Sequence, residues 1–340
     1  MAICRLELQN FRNFKSFAAD IPQMVYVYGD NGVGKTSLSE AITLLLTLKS
    51  FRRDNAADFK MSGEEYVRVK GAFLDERIKD AVYFYRDKRA VLVDGNEQQN
   101  VSEYIYTLPV VCYSPGFESV FSQQSFERRR FLDRMIFYSA PQHLNDIRQY
   151  NAILARKRVE LCKDAPDAEL VAALNERAQP FSDAISARRR ELIDKINEAA
   201  AANAETADKF LPDMRLALHI YPLSDRDEQK ELARGRPSYG CHKDLLYLKQ
   251  NEKVVEKFQS FGQMKSALLY LLYCFAINVE DYRKCGIIVV LDDFEAGLDA
   301  MRCGTLNELF LGGSSDRRQI FLTGLNVKHY KGVETLALPA

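Results

Sequence analysis

The sequence predicts an α/β fold in which a mixed β-sheet is accompanied by an inserted helical lobe. Apolar residues from Met24 to Tyr28 form a predicted buried strand, which a glycine-rich stretch connects to an amphipathic helix. A second apolar run, from Gly286 to Leu291, predicts a buried parallel strand that ends in two aspartates. Between these strands, residues from about Gln124 to about Lys209 are rich in charge and poor in glycine, which favours helices.

Charge and cysteine content restrict the functions that the chain can have. The 340 residues contain 47 basic and 47 acidic side chains, so a nucleic acid would have to bind a local basic patch. The seven cysteines form no C-x-x-C pair and argue against a disulfide framework or a zinc site. No signal-like segment opens the sequence, and the apolar run Ala267 to Val279 is too short to span a bilayer. We therefore expect a soluble, cytoplasmic protein with no membrane partner.

The glycine-rich stretch has the pattern G-x-x-x-x-G-K-T of a phosphate-binding loop. Its glycines allow backbone N–H groups to turn towards a phosphate, and the N-terminus of the next helix adds partial positive charge. Lys35 is predicted to contact the β- and γ-phosphates of ATP, and the Thr36 hydroxyl is predicted to bind Mg²⁺. The predicted nucleotide-binding residues are Gly29, Asp30, Asn31, Gly32, Val33, Gly34, Lys35, Thr36 and Ser37.

The two aspartates that end the second apolar strand complete the predicted site. An acid in this position commonly holds the Mg²⁺ of a phosphate-binding loop, so Asp292 is the predicted metal ligand. Asp293 is predicted to lie beside the attacking water, and with Lys35 it forms the predicted catalytic pair. The alternative is that both acids only end the strand for solubility, which the phosphate-binding loop in the same chain disfavours.

The order of these motifs indicates the subclass of ATPase. Most of the chain separates Lys35 from Asp292, whereas small GTPases and kinases place the acid much nearer. A helix that starts near Ser260, in the pattern Ser-x-Gly-Gln, precedes the acidic strand. This order predicts an ABC-type P-loop ATPase head that pairs head to tail with a second copy. Ser260, Gly262 and Gln263 would then contact the γ-phosphate held by the partner copy.

Further strands and a helix pair are predicted from periodicity. Two apolar seams, separated by Asp164–Asp167, predict an antiparallel helix pair in the lobe. The predicted domains are residues 1–113 and 236–340, as two parts of the ATPase head, and residues 114–235 as the inserted lobe. The predicted strands span residues 3–8, 17–21, 24–28, 66–74, 81–86, 90–93, 109–113, 214–221, 245–248, 286–291, 319–323 and 333–338.

The sequence contains a series of short motifs, at residues 8–14, 29–36, 50–52, 113–115, 126–134, 239–244, 260–265, 291–293 and 297–299. Taken together, these motifs resemble the RecF family of DNA-repair ATPases over most of the chain. The most specific of them is the Glu-Arg-Arg-Arg-Phe-Leu-Asp block from Glu127 to Asp133, which transporter ATPases do not share. The resemblance implies ATP-driven dimerisation, slow ATP hydrolysis and binding to double-stranded or gapped DNA. It also implies cooperation with RecO-like and RecR-like mediators to load RecA.

Departures from the family pattern predict a divergent member. The acid that follows Asp292 is Asp293 where wider ABC ATPases have glutamate, and no histidine follows the strand that ends near Thr323. A base shorter by one methylene predicts slow turnover, which suits a switch. Other departures within the family motifs are Gly116, Phe117, Cys241, Lys243, Leu245, Phe261 and Met264.

Basic runs in the lobe are candidate contacts for DNA phosphates, with no sequence readout. The alternative for each run is a solvated helix face. In the block around Arg129, a local ion pair with Asp133 is the simpler interpretation. Competing functions for the whole chain are an SMC-class or defence-system ATPase head that clamps DNA, and a transporter ATPase. The candidate DNA residues are Arg156, Lys157, Arg158, Arg188, Arg189 and Arg190.

Overall fold

The computed structural model describes residues 2–52, 55–115, 117, 125–255, 260–312, 317–326 and 328–338. Gly116, a departure from the family pattern, and Gln124, at the predicted start of the lobe, lie outside the described residues. The helices are α1 (Lys35–Thr47), α2 (Val101–Thr107), α3 (Ser125–Ser139), α4 (Gln142–Leu161), α5 (Ala168–Ala202), α6 (Ala204–Asp208), α7 (Glu228–Arg234), α8 (Phe261–Arg283) and α9 (Ala300–Leu311).

The strands confirm most of the predicted positions to within a few residues. The Asp94-Gly95 pair forms the two-residue turn of a hairpin, with positive φ at both positions. The strands in the described part of the chain are β1 (Ile3–Phe11), β2 (Phe14–Asp20), β3 (Met24–Tyr28), β4 (Val67–Phe73), β5 (Asp80–Tyr85), β6 (Arg89–Val93), β7 (Asn96–Glu97), β8 (Val110–Tyr113), β9 (Met214–His219), β10 (Leu245–Gln250), β11 (Lys253–Val254), β12 (Ile287–Leu291), β13 (Arg318–Gly324) and β14 (Glu334–Ala337).

The chain forms two compact units. The first unit comprises Met1–Phe117 and Leu268–Ala340, and the second comprises Glu118–Ala267. The domain boundaries predicted from the sequence, after residues 113 and 235, remain a prediction, and the second unit continues to Ala267. Among the described residues, no helix is both long and apolar enough to cross a membrane.

The parallel and the antiparallel strands of the first unit form two separate sheets. The antiparallel sheet has the order β2-β1-β4-β5-β6-β7, and the parallel sheet has the order β14-β3-β13-β12-β8. All residues of β12 and β13 are buried, as expected for strands in the middle of a parallel sheet. β4 instead alternates buried with partly exposed residues, which is typical of a strand with one face on the core.

Helix α1 is buried along nearly its whole length because it packs against both sheets of the first unit. Leu44 and Leu45 belong to one apolar core with Leu8 from the antiparallel sheet and Val290 from the parallel sheet. A helix that is apolar on several faces requires such a buried position. The core therefore holds the start of α1 firmly at the carboxyl end of β3.

The second unit contains the predicted antiparallel helix pair, α4 and α5, and a small sheet of order β11-β10-β9. Leu154 of α4 packs in one core with Leu174 and Ile185 of α5. The Arg188–Asp146 ion pair joins the start of α4 to the second half of α5, which confirms the antiparallel direction.

Candidate nucleotide-binding site

The phosphate-binding loop connects β3 to α1 and depends on glycine for its shape. Gly29, Gly32 and Gly34 have φ values of 155°, 89° and 111°, which other residues rarely adopt. A Cβ atom at Gly34 would lie 2.6 Å from the Phe14 ring and 2.7 Å from Nδ2 of Asn13. Gly34 immediately precedes the first residue of α1, so the helix amides point into the loop.

Lys35 is held across the mouth of this loop. Its Nζ donates to the backbone oxygens of Gly29, at 2.6 Å, and Asp30, at 2.7 Å. An ammonium group has three donors, so one remains for an anion in the loop. This geometry suits a phosphate oxygen, and contact of Lys35 with the phosphates of ATP remains a prediction.

Asp292 is completely buried at the end of β12. Its Oδ1 accepts hydrogen bonds from the hydroxyls of Thr323, at 2.7 Å, and Ser39, at 3.2 Å, whereas its buried Oδ2 has no hydrogen-bond partner among the described residues. Burial raises the pKa of Asp292, and the hydroxyls of Thr323, Thr36 and Ser39 oppose that rise. A buried carboxylate oxygen without a donor, near the Thr36 hydroxyl, fits a hard cation such as Mg²⁺ or its water ligands.

Asp293 follows in a left-handed backbone conformation, with φ at 49°. Its backbone N–H donates to Oγ1 of Thr323 at 2.9 Å, so this one hydroxyl contacts both aspartates. Sequence reasoning gave Thr323 no role, because a threonine inside an apolar strand has no distinctive pattern.

Residues of the phosphate-binding loop, Asp293 and Thr323 line a pocket of about 600 Å³ in the first unit. The structure brings together the phosphate-binding loop and Asp293, as the sequence predicted. Arg12, Asn13 and Arg52 were not among the predicted nucleotide-binding residues. They lie in motifs that carry the family resemblance, and this position was the sequence signal that could have identified them. The lining residues are Arg12, Asn13, Asn31, Gly32, Gly34, Lys35, Thr36, Ser37, Arg52, Asp58, Lys60, Asp293, Thr323 and Leu325.

Glu40 explains why three separate motifs meet at this pocket. Its completely buried carboxylate on α1 accepts two hydrogen bonds from Arg12, at 2.7 and 3.0 Å, and one from Ser50, at 2.5 Å. Nε of Arg52 lies 3.8 Å from the same carboxylate. Arg12 also stacks over Phe59, with 5.4 Å from its guanidinium carbon to the ring centroid. Glu40 therefore positions two arginines that line the pocket.

The Glu40→Gln variant is expected to lose about 2 kcal/mol of stability, because the Arg12 guanidinium would keep its charge without its carboxylate partner. Nucleotide affinity should fall as well, since Arg12 and Arg52 line the pocket. Urea unfolding followed by far-UV circular dichroism measures the first effect. The matched control is Glu65→Gln, whose exposed ion pair with Arg86 should matter little. Equal stabilities of the two variants would contradict the role of Glu40.

The predicted signature residues lie at the start of α8. Ser260 Oγ accepts a hydrogen bond from the backbone N–H of Gln263, and Oε1 of Gln263 accepts one from the backbone N–H of Ser260. This reciprocal pair is a capping box, which fixes the helix start. Contact of Ser260, Gly262 and Gln263 with a partner's nucleotide remains a prediction.

The structure corrects the candidate DNA residues. Lys157 and Arg189 are each 3% exposed and are held by carboxylates, so they are unavailable to DNA phosphates. Lys157 contacts Glu231 at 2.5 Å. Arg188 is partly buried and pairs with Asp146 at 2.6 Å. The exposed members of the predicted set are Arg156, Arg158 and Arg190.

Arg189 is the centre of a buried polar network in the second unit. It donates two hydrogen bonds of 2.8 Å to Asp133, one of 2.9 Å to Asp244 and one of 2.6 Å to the Cys241 carbonyl. Burial acts against the charge of Asp133, but Arg189 and His143 outweigh it and lower the pKa of that carboxyl group. Asp133 therefore pairs with Arg189, and the local pair predicted with Arg129 does not form. Arg129 donates instead to the Asp244 carbonyl.

Comparisons with known proteins agree with this architecture. The family described as RecF/RecN/SMC N terminal domain matches residues 2–338. DNA replication and repair protein RecF of Chlorobium limicola is 25% identical over 364 residues, which cover 100% of this chain and 99% of that protein. The protein of the same name from Staphylococcus carnosus is 26% identical over 356 residues, which cover 96% and 94% of the two chains.

Solved structures resemble the chain in fold. A structure of the recombination mediator protein RecF with ATP, in the RecFOR pathway, has a TM-score of 0.79 at 22% identity and covers 96% of this chain and 93% of its own. The Smc head domain of Pyrococcus furiosus has a TM-score of 0.54 at 16% identity, with coverage of 95% and 89%. The predicted ABC-type ATPase head fold is thereby confirmed. The chain belongs to the RecF/RecN/SMC N-terminal domain family, whose RecF members it matches along its whole length.

Proposed function

We propose that this chain is a RecF-like DNA-repair ATPase. It binds ATP and Mg²⁺, dimerises head to tail, and binds double-stranded DNA near single-strand gaps to help load a recombinase in the cytoplasm. The observation that carries the proposal is the convergence of Lys35 with Asp292 and Asp293, where Asp292 presents a buried oxygen without a donor. Relatives named DNA replication and repair protein RecF support the DNA part of the proposal. The partners that we propose, RecO-like and RecR-like mediators and RecA, follow from the family resemblance.

In this proposal each residue of the pocket has a defined task. The amides of the loop and Lys35 hold the β- and γ-phosphates, while Thr36 and Asp292 hold Mg²⁺. A metal bound by Thr36 and Asp292 would supply positive charge that offsets the charge developing on the phosphates. Asp293 orients the attacking water and accepts its proton. Because its side chain is one methylene shorter than glutamate, we expect slow hydrolysis that serves as a switch for DNA binding.

The second half of each ATP site comes from a partner copy. The Ser260 hydroxyl donates a hydrogen bond of 3.0 Å to Gln263 Oε1 and accepts one from the backbone N–H of Gln263. The hydroxyl can turn its hydrogen towards a phosphate while its oxygen still accepts from that N–H. That hydroxyl and the amides at the start of α8 supply donors and partial positive charge for a γ-phosphate. Ser260 of one copy therefore acts on the nucleotide that Lys35 of the other copy holds.

The Ser260→Arg variant tests this arrangement. A bulky charged side chain at the seam is expected to prevent ATP-dependent dimerisation and hydrolysis, while ATP still binds to each monomer through Lys35 and Thr36. Light scattering with and without ATP measures the dimer, and phosphate release measures hydrolysis. ATPase activity of Ser260→Arg at dilutions where only monomers exist would contradict the shared site.

Mixing Ser260→Arg with Lys35→Met provides the control. In the mixed dimer one site combines both lesions and the other combines two intact halves. We therefore expect partial recovery of ATPase activity on mixing two inactive variants. If a dimer forms on mixing but activity stays absent, Ser260 and Lys35 do not meet across subunits.

A further inference from the structure

The basic residues of the second unit separate into those with and those without an acidic partner. Lys157, Arg188 and Arg189 form ion pairs, as described above. In the described part of the chain, the side chains of Arg158, Arg236 and Lys243 donate no hydrogen bond and form no ion pair. Arg158 and Arg236 are also exposed, and Lys243 is partly exposed.

Contacts between α4 and the loop after α7 bring Arg158 and Arg236 together. Cys162, at the end of α4, has its Sγ 3.7 Å from the carbonyl oxygen of Gly235. Glu231 accepts from Lys157 at 2.5 Å and from the backbone N–H of Ser238 at 2.6 Å. These contacts join the residues next to Arg158 in the chain to those next to Arg236.

Lys243 reaches the same place on a short turn, Cys241–Lys243. Nδ1 of the neighbouring His242 and the Tyr150 hydroxyl of α4 form a hydrogen bond of 2.7 Å. Arg129 donates to the carbonyl of Asp244 at 2.8 Å, which places its guanidinium beside the same turn. Four basic side chains from four separate segments are thus held near one another, and we call Arg129, Arg158, Arg236 and Lys243 the basic site.

The charges of the basic site act on one another. Burial lowers the pKa of Lys243, and Arg236, Arg129 and Arg158 lower it further, against the opposing effect of Glu231. Burial and the cations around it also lower the pKa of His242 to about 3, so this ring stays neutral. Glu231 is already engaged by Lys157. The carboxylate of Asp244 is likewise engaged, by Arg189. Like charges that share carboxylates already paired with other cations disfavour the folded state, and a bound anion would relieve that repulsion.

We propose that Arg158, Arg236 and Lys243, together with Arg129, bind the phosphate backbone of duplex DNA. The inference rests on the DNA binding proposed above and assigns it to residues of which sequence reasoning had named only Arg158. Unpaired cations held by buried contacts suit phosphates spaced along a backbone, and they read no base.

The test is a triple variant, Arg158→Gln, Arg236→Gln and Lys243→Gln, measured by fluorescence anisotropy with a labelled duplex over a range of salt concentrations. We expect affinity at low salt to fall by about tenfold or more. The slope of log affinity against log salt should flatten by about 2 to 3, at roughly 0.9 for each phosphate that the variant no longer neutralises. The matched control neutralises three exposed basic residues of the same unit, Arg177, Lys195 and Lys209, and should change both quantities less.

Thermal unfolding separates binding from folding. Without DNA, the triple variant should unfold at the same or a higher temperature than the wild type, because repulsion has been removed. A lower temperature would indicate that these cations stabilise the fold, and would overturn the inference. If the wild type binds duplex DNA and the triple variant keeps its affinity and slope, the basic site is wrong and the proposed function stands. A wild type that binds no duplex with ATP would overturn both.

Discussion

The Lys35→Met variant is expected to bind ATP about a hundredfold more weakly than the wild type. Lys35 is the cation fixed at the mouth of the phosphate-binding loop by the carbonyls of Gly29 and Asp30. A hydrogen bond from a charged donor to phosphate contributes about 1.5 to 3 kcal/mol, so the loss of the one bond that the remaining donor of Lys35 can make gives an effect of up to about this size. Titration with a fluorescent ATP analogue measures it.

Lys60→Met is the matched control for this experiment. Lys60 lines the same pocket, but its Nζ lies 5.8 Å from the centre of the Tyr85 ring and 3.4 Å from the Glu65 carbonyl. Its replacement removes an equal charge and should weaken ATP binding far less. Wild-type affinity in Lys35→Met would refute the assignment of the phosphate-binding loop. An equal loss in both variants would indicate a general effect of charge.

The Arg189→Met variant is expected to lose about 3 to 5 kcal/mol of stability. Arg189 is buried and bonded to both Asp133 and Asp244, and its removal would leave two carboxylates without their shared cation. Burial acts to lower the pKa of Arg189, but these two carboxylates outweigh it and raise the pKa. The chain has no tryptophan, so far-UV circular dichroism in urea is the suitable measurement.

Two controls define the cause of that loss. Arg190→Met changes the next residue, which is exposed, and should alter stability by only about 0.5 kcal/mol. Arg189→Lys keeps the charge but cannot reproduce the planar set of donors, so its stability should lie between those of Arg189→Met and Arg190→Met. If Arg189→Met and Arg190→Met unfold at the same urea concentration, the buried network does not hold the second unit together.

The sequence predicted most accurately those elements whose pattern is formed by neighbouring residues. The strand from Met24 to Tyr28, the glycines after it and helix α1 follow one another directly, so their pattern predicted both the element and its chemistry. The strand before Asp292 is apolar throughout because both of its faces are buried. Parallel strands place their carboxyl ends at one edge of a sheet, which is why Asp292 could be predicted to lie near the phosphate-binding loop.

Sequence reasoning failed where the environment of a charge depends on distant residues. Within the run Arg188-Arg189-Arg190, the three side chains are partly buried, buried and exposed. Arg189 finds Asp133 and Asp244, which are 56 and 55 positions away. Local sequence made the whole run a candidate DNA contact or a solvated helix face, since adjacent arginines look alike until tertiary contacts supply their partners.

By itself, the sequence determined the fold class, the phosphate-binding loop and the acidic strand end, because periodicity and glycine placement are properties of neighbouring residues. Only the tertiary structure decided which charges are free and which are paired. It joined Arg12 to Glu40, placed Thr323 between the two aspartates, and gathered Arg236 and Lys243 beside Arg158. The physical reason is that burial and ion pairing are set by packing between remote segments, and these contacts have no counterpart in local sequence pattern.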